Sequence, residues 1–276
     1  MAESAKVDYI ICWKPKVRAF QQFPNLKVVQ SLGAGVEHVT DTNELPPSVT
    51  LTRIVDPQLA VDMWEFVLAI VMSQLKRLPT YAQQEAQQQW SEQAYKTIPK
   101  TTIGVLGLGK IGAVVAQNFA QLGFQVVGWS YSQKVIAGVE SYVGQDGFSA
   151  CLAKTDILIN ILPLTTSTEG ILNQKSLALL KKGAYLVNVG RGGHLVEEDL
   201  IPMIDQGQLS GAFLDVFRTE PLPAQHPFWE HPKITITPHI ASLTNVETAV
   251  EQLVENYRRF KAGKELLHVV SLEKGY

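Results

Sequence analysis

The sequence predicts an α/β protein built from two doubly wound parallel-sheet domains with a cleft between them. Three observations predict it. Residues 102–106 (TIGVL) form a continuous apolar run that ends in Gly107-x-Gly109-x-x-Gly112 and passes straight into a helix-like segment. Beyond that turn, apolar runs alternate with helix-length segments as far as residue 237. Short apolar runs also precede the turn, so a second unit lies upstream. Continuous apolar strands joined by helices imply a parallel sheet covered on both faces.

In chain order, residues 7–12, 26–31 and 49–54 each read as a short buried strand. Residues 61–90 read as helix, because Val61, Trp64, Val67, Leu68, Val71 and Leu75 recur at three- and four-residue intervals. Pro79 interrupts it, and the Gln-rich half that follows reads as solvated helix. Further strands are expected at 102–106, 125–129, 157–161, 185–189, 211–216 and 234–237. Helices are expected at 111–122, 148–153, 174–180 and 197–206. A last long helix spans 245–261 and a final strand 266–271. The domains then read as 1–75 plus 245–276 for the smaller and 76–244 for the larger.

The glycine turn marks the larger domain as a dinucleotide-binding Rossmann unit. Gly107 permits the tight turn, Gly109 lets a pyrophosphate approach the backbone, and Gly112 lets helix pack on strand. A phosphate would sit at the helix N-terminus, where free N–H groups and the helix dipole favour an anion.

Composition excludes several function classes. The chain of 276 residues is 46% apolar, carries a formal charge of −2 and has no long basic run, so nucleic acid is not an expected partner. No apolar stretch of 18 or more residues is read in the chain, so no membrane span is expected. The N-terminus lacks the basic-then-apolar layout of a secretory signal, which points to the cytoplasm. Cys12 and Cys151 read as reduced core thiols. His38, His194, His226, His231 and His268 do not fall at metal-ligand spacings, so no metal is expected.

The chemistry-bearing residues fall at strand ends. VNVGRGG (187–193), DVFRTEPLP (215–223) and TPHIAS (237–242) each begin where a predicted strand finishes. Ligands of open parallel sheets bind outside those ends. Arg191 offers a planar fork of donors suited to a carboxylate. His239 can exchange a proton with a carbonyl or hydroxyl oxygen. Glu220 can hold that imidazole and favour its charged form. Singly, each could be an ordinary surface arginine, core histidine, turn residue or, for Asp215, strand-end cap. Their shared location favours a hydride-transfer site.

The set GLGKIG, ILPLTTST, NVGRGG, LDVFRTEPLP and TPHIAS resembles the D-isomer-specific 2-hydroxyacid dehydrogenases. WSYSQK, GVESYVG, PFWEHPKITITPHIA, CWKP and SLGAGVEH are most similar to the glyoxylate- and hydroxypyruvate-reducing branch of that family. The resemblance implies that Arg191, Glu220 and His239 are catalytic. It places the cofactor on Gly107, Leu108, Gly109, Lys110, Ile111 and Gly112, on Leu162, Pro163, Thr168, Val189 and Gly190, and on Asp215 at the nicotinamide carboxamide. It places a small 2-oxoacid or 2-hydroxyacid substrate on Arg191, His239, Trp13 and the loop Leu32, Gly33, Ala34 and Gly35, whose N–H groups would hold the carboxylate. The smaller domain becomes a flavodoxin-like substrate domain. His239 becomes the proton donor as hydride reaches C2, giving the D-2-hydroxyacid. The resemblance also implies a homodimer. A catalytically silent dinucleotide-binding regulator of the same fold is the alternative.

An enzyme preferring NAD usually carries an acid about 20 residues beyond the glycines. Here Ser130, Tyr131 and Ser132 stand there, with Lys134 close behind. Small hydroxyls would accept a 2′-phosphate that an acid repels, so NADP(H) is favoured, with NAD(H) the alternative. The branch often carries an arginine where Tyr131 stands. Relatives usually begin with one more strand and helix before the Cys12 strand, so the smaller domain is expected to lack that unit.

Overall fold

A computed structural model describes residues 3–33, 35–40, 45–244 and 246–271. The chain divides into two units, Met1–Leu59 with Leu243–Tyr276 and Ala60–Ser242.

In the first unit, apolar runs form strands β1 (Tyr9–Cys12), β2 (Val28–Ser31) and β3 (Thr50–Thr52), with a single helical turn α1 (Glu37–Thr40) between the last two. The strands pair in parallel in the order β1-β2-β3, plain chain order. Their core is Phe20, Leu26, Val29, Val36, Val39, Val49, Leu51 and Val270. The buried amide of Gln30 ties the layers together. Its Oε1 accepts from Tyr9 (3.2 Å), Thr52 (2.7 Å) and Asn256 (2.8 Å), each on a different element. The strand expected at 266–271 reduces to an isolated antiparallel bridge between Thr52 and Val269.

Helices α2 (Pro57–Leu75) and α3 (Leu78–Ala86) follow. The break falls at Arg77, whose φ of 60° is left-handed, and Pro79 sits in the first turn of α3. Proline is tolerated there because its missing N–H has no helical partner. The helix therefore stops at residue 86, not 90. The division between units falls inside α2, not at residue 75. Met63, Val67, Ile70, Val71 and Leu75 enter the same core as Ile103, Val105 and Phe119 of the second unit. Trp64 meets Phe119 edge-on at 4.7 Å, and Phe66 meets Phe213 at 5.7 Å. Contrary to the sequence expectation, α2 is by length and composition apolar enough to cross a membrane. Its buried side chains make it a core helix of the second unit.

The second unit continues with β4 (Thr102–Leu106), α4 (Lys110–Gln121), β5 (Gln125–Trp129), β6 (Val139–Tyr142), α5 (Gly144–Lys154) and β7 (Ile157–Asn160). Then come α6 (Gln174–Leu177), β8 (Ala184–Asn188), α7 (Glu197–Asp205), β9 (Leu209–Leu214) and β10 (Ile234–Ile236), before α8 (Val246–Lys261) closes the first unit. All seven strands are parallel, in the order β10-β9-β8-β7-β4-β5-β6. The winding direction reverses between β4 and β7, which makes that edge a ligand position in such sheets. Register aligns the strand ends: Leu106 pairs with Trp129 and Asn160, Asn160 with Asn188, Asn188 with Leu214, and Leu214 with Ile236. The residues following each strand are thus delivered to one edge.

Candidate active site

The glycine turn follows β4. Gly107 has φ +100°, and a Cβ there would lie 2.9 Å from the carbonyl oxygen of Ile161. Gly112 packs tighter still: a Cβ would come within 1.8 Å of the Gly107 carbonyl oxygen. Gly109 differs, since a Cβ there would meet nothing within 4 Å. It caps α4 without a side-chain hydrogen bond. Open space over an uncapped helix N-terminus fits the diphosphate of a dinucleotide. Leu108 is buried against Gly128, so it supports the turn through packing. Lys110 and Ile111 begin α4.

After β5, Ser130 is buried and its hydroxyl donates to the Ser132 carbonyl (2.8 Å). Tyr131 packs on Trp129 at 5.0 Å and donates to the Ser167 carbonyl (3.1 Å). Lys134 is exposed. This segment and the loop of residues 163–168 are therefore joined. Thr168 is fully buried and donates to the Pro163 carbonyl (2.8 Å).

A polar network that sequence reasoning missed lies beneath the next loops. Asn160, Asn188 and His194 are all fully buried. Asn160 Nδ2 donates to Asn188 Oδ1 (2.9 Å), whose oxygen also accepts from the Gly190 N–H (3.3 Å), and Asn160 Oδ1 accepts from the Leu162 N–H (3.3 Å). Arg191 is gripped at both backbone groups. Its N–H donates to His194 Nδ1 (3.1 Å), and its carbonyl accepts from Asn188 Nδ2 (3.2 Å). Its guanidinium donates to the Gly190 carbonyl (2.8 Å). The available signal was a polar residue closing each apolar run, ILIN and YLVN.

Asp215 follows β9 and is buried. One oxygen accepts from the Thr237 hydroxyl (2.6 Å) and the Ile240 N–H (2.8 Å), the other from the Ala241 N–H (2.9 Å). Between these donors stands His239, at φ 58°. A histidine in left-handed space costs conformational energy and persists where its surroundings hold it. Its Nδ1 lies 2.9 and 3.1 Å from the two oxygens of Glu220. Glu220 also accepts from the Phe217 N–H (3.2 Å), which fixes the carboxylate. The pair leaves Nε2 as the ring nitrogen not engaged by Glu220.

In the first unit, Trp13 lies against Gly33, where a Cβ would meet the indole at 2.3 Å, and its ring is 4.7 Å from that of His38. The Leu32 N–H donates to the Cys12 carbonyl (3.0 Å) and the Gly33 N–H to the Ser31 hydroxyl (3.1 Å). These two groups are engaged internally and are not the free anion donors expected. Ala34 lies outside the described residues. Among the described residues no cluster of metal-ligating side chains occurs.

A parallel sheet that reverses over a glycine turn, with an imidazole–carboxylate pair on the same edge, defines a dinucleotide-dependent dehydrogenase type of site. Comparison with known proteins narrows this. Residues 68–241 match the D-isomer specific 2-hydroxyacid dehydrogenase, NAD binding domain, and the chain belongs to that family. It is 40% identical to glyoxylate/hydroxypyruvate reductase A of Yersinia enterocolitica, over 99% of this chain and 89% of the relative. It is 42% identical to the protein of that name from Serratia proteamaculans, over 98% and 88%. Among solved structures, a D-isomer specific 2-hydroxyacid dehydrogenase from Xanthobacter autotrophicus in complex with NADPH superposes with a TM-score of 0.93 at 38% identity, covering 100% of this chain and 87% of that one. An NADPH-dependent glyoxylate/hydroxypyruvate reductase from Sinorhizobium meliloti, complexed with NADP and sulfate, gives 0.92 at 38%, covering 98% and 86%.

Proposed function

We propose that this protein is an NADPH-dependent reductase of small 2-oxoacids of the glyoxylate and hydroxypyruvate kind, yielding the D-2-hydroxyacid. The observation that carries the reading is the His239–Glu220 contact on the sheet edge that also holds the glycine turn and Arg191. The names of the relatives support the substrate class, and the NADPH and NADP complexes of similar structures support the cofactor. NADH is the cofactor to compare.

Gly109, on the turn that Gly107 and Gly112 shape, would receive the diphosphate, and Ser130, Ser132 and Lys134 the adenosine phosphate. Leu162, Pro163, Thr168, Val189 and Gly190 would line the rest of the cofactor. A bound reduced nicotinamide supplies a hydride. Arg191 pairs with the substrate carboxylate, as a guanidinium fork does with two oxygens. It also stabilises the negative charge that grows on the carbonyl oxygen. Glu220 holds Nδ1, so Nε2 of His239 carries the proton delivered to that oxygen. Asp215 holds the backbone turn that presents His239. In the smaller unit, Trp13 and Gly35 would be the residues to test for substrate contact.

Steady-state oxidation of NADPH and NADH with glyoxylate, hydroxypyruvate, pyruvate and phenylpyruvate tests the assignment. Reduction consumes a proton, so the equilibrium moves toward the oxoacid as pH rises. His239→Ala lowers kcat about a hundredfold or more and leaves NADPH affinity near the parent value. Near-normal turnover would exclude His239 as the acid. NADPH binding with no turnover on any oxoacid would mark a silent regulator instead.

Exposed Leu78, Tyr81, Trp90 and Tyr95 on α3 and the segment after it support a homodimer, and a monomer in sedimentation velocity would reject it. Free thiols at Cys12 and Cys151 are consistent with a cytoplasmic enzyme.

A further inference from the structure

Buried His194 touches two segments with different assigned tasks. Its Nδ1 accepts from the Arg191 N–H (3.1 Å) and faces Asn160 Nδ2 at 3.0 Å. Its Nε2 lies 3.2 Å from the Pro163 carbonyl oxygen. Two N–H donors on Nδ1 require a lone pair there, and a carbonyl opposite Nε2 requires a hydrogen there. The ring is therefore the neutral Nε2–H tautomer, since the hydrogen bond at one nitrogen fixes the state of the other. A Cβ on Gly190 would lie 3.1 Å from Nδ1, so ring and loop are in close contact. The Asn160–Asn188 pair spans the same two segments through flexible amides, whereas the imidazole does so through one rigid ring.

We infer that His194 is a positioning residue that couples the cofactor loop at residues 162–163 to the carboxylate-binding Arg191. The inference rests on the function proposed for Arg191 and for that loop. Movement of the Pro163 carbonyl would pull on Nε2, and the rigid imidazole would pass the displacement to the Arg191 backbone. A buried network in which every member is paired transmits such a shift, because loss of one bond leaves a donor stranded. Pro163 is additionally held by Thr168, so the loop keeps one anchor when His194 is altered.

Two conservative substitutions separate the two ends of the ring. In His194→Asn the amide oxygen stands in for Nδ1 and the reach to Pro163 is lost. In His194→Gln the amide nitrogen stands in for Nε2 and the acceptor for Arg191 is lost. The expected result is a crossed pattern. His194→Asn weakens NADPH binding by about tenfold with little change in oxoacid KM, and His194→Gln raises oxoacid KM by about tenfold with little change in NADPH binding. Constants that shift together in both variants, or in neither, would overturn the coupling. Arg191→Ala is measured alongside. If it leaves oxoacid KM untouched, the role of Arg191 itself fails, whereas a raised KM without the crossed pattern removes only the coupling. The assigned imidazole nitrogen-15 resonances of His194 in the unaltered protein decide the matter should either variant fail to fold. A protonated Nε2 whose signal moves on adding NADP+ supports the inference. A protonated Nδ1, or no response to NADP+, overturns it.

Discussion

Asp215 holds His239 in left-handed backbone space. Its carboxylate accepts from the N–H groups of Ile240 and Ala241, the two residues after His239, and from the Thr237 hydroxyl two residues before it. The turn is thereby closed around a residue at φ 58°. Resemblance to the family assigns Asp215 to the nicotinamide carboxamide; the bonds of its carboxylate in this chain go to the residues on either side of His239.

Asp215→Asn replaces one acceptor oxygen by an amide that faces donors. Hydrogen bonds to a charged group contribute about 1.5–3 kcal/mol, so turnover should fall about ten- to a hundredfold as His239 drifts. Thr237→Val removes a single bond and should cost about tenfold or less. NADPH affinity measured by fluorescence should stay close to the parent. A loss of affinity as large as the loss of turnover would put Asp215 on the cofactor after all.

The glycine turn separates folding from binding. Gly109→Ala adds a methyl group that meets no protein atom within 4 Å, so the unfolding midpoint should barely move. The same methyl occupies the space a diphosphate needs, and NADPH affinity should fall by about tenfold or more. Gly112→Ala drives its methyl into the Gly107 carbonyl and should cost about 1–3 kcal/mol of stability. Calorimetry with cofactor titration separates the two. A Gly109→Ala protein that binds NADPH normally would move the diphosphate elsewhere.

Most of this architecture was legible because a parallel sheet buries both faces. Strands such as ILIN and TIGVL read as apolar runs whatever lies around them. Val139–Tyr142 was missed because it is an edge strand with half-buried residues, and one covered neighbour does not demand an apolar run. The break between α2 and α3 was placed at Pro79, yet Arg77 makes it, since left-handed φ in a non-glycine residue leaves no periodic trace. At the site, Arg191, Glu220 and His239 stood out by their position after strands. Asn160, Asn188 and His194 did not, because their partners are one another and backbone groups, brought close only by register and loop closure.

Both thiols should be inert in the folded protein. Burial pushes the Cys12 thiol up to about 11 and the Cys151 thiol up to about 12. The thiolate is the reactive form, so iodoacetamide at about pH 8 meets little of it. Mass spectrometry should find slow labelling in the native state, slowest at fully buried Cys151, and two rapid additions after unfolding. Rapid native labelling of Cys151 would mean that the core around α5 opens readily.

Acid stability should depend on Asp156. Burial alone would raise its carboxyl, but hydrogen bonds from Lys96 (2.7 Å), the Thr102 N–H (2.9 Å) and Lys181 (3.1 Å) outweigh that and hold it below the usual carboxylate range. A carboxyl lowered by folding contributes stability above its unfolded-state value, and that contribution is lost as pH falls through the folded-state value. The two lysines are partly exposed, so solvent screens their share, and the Thr102 N–H makes the better-sheltered bond. Asp156→Asn should therefore cost about 1–2 kcal/mol near neutrality, with a drop on the order of 2–4 °C in midpoint for each kcal/mol lost. On acidification the parent's midpoint should fall faster, and the two curves should converge once Asp156 is protonated. Parallel curves down to the acid limit would show that another carboxylate governs the acid transition.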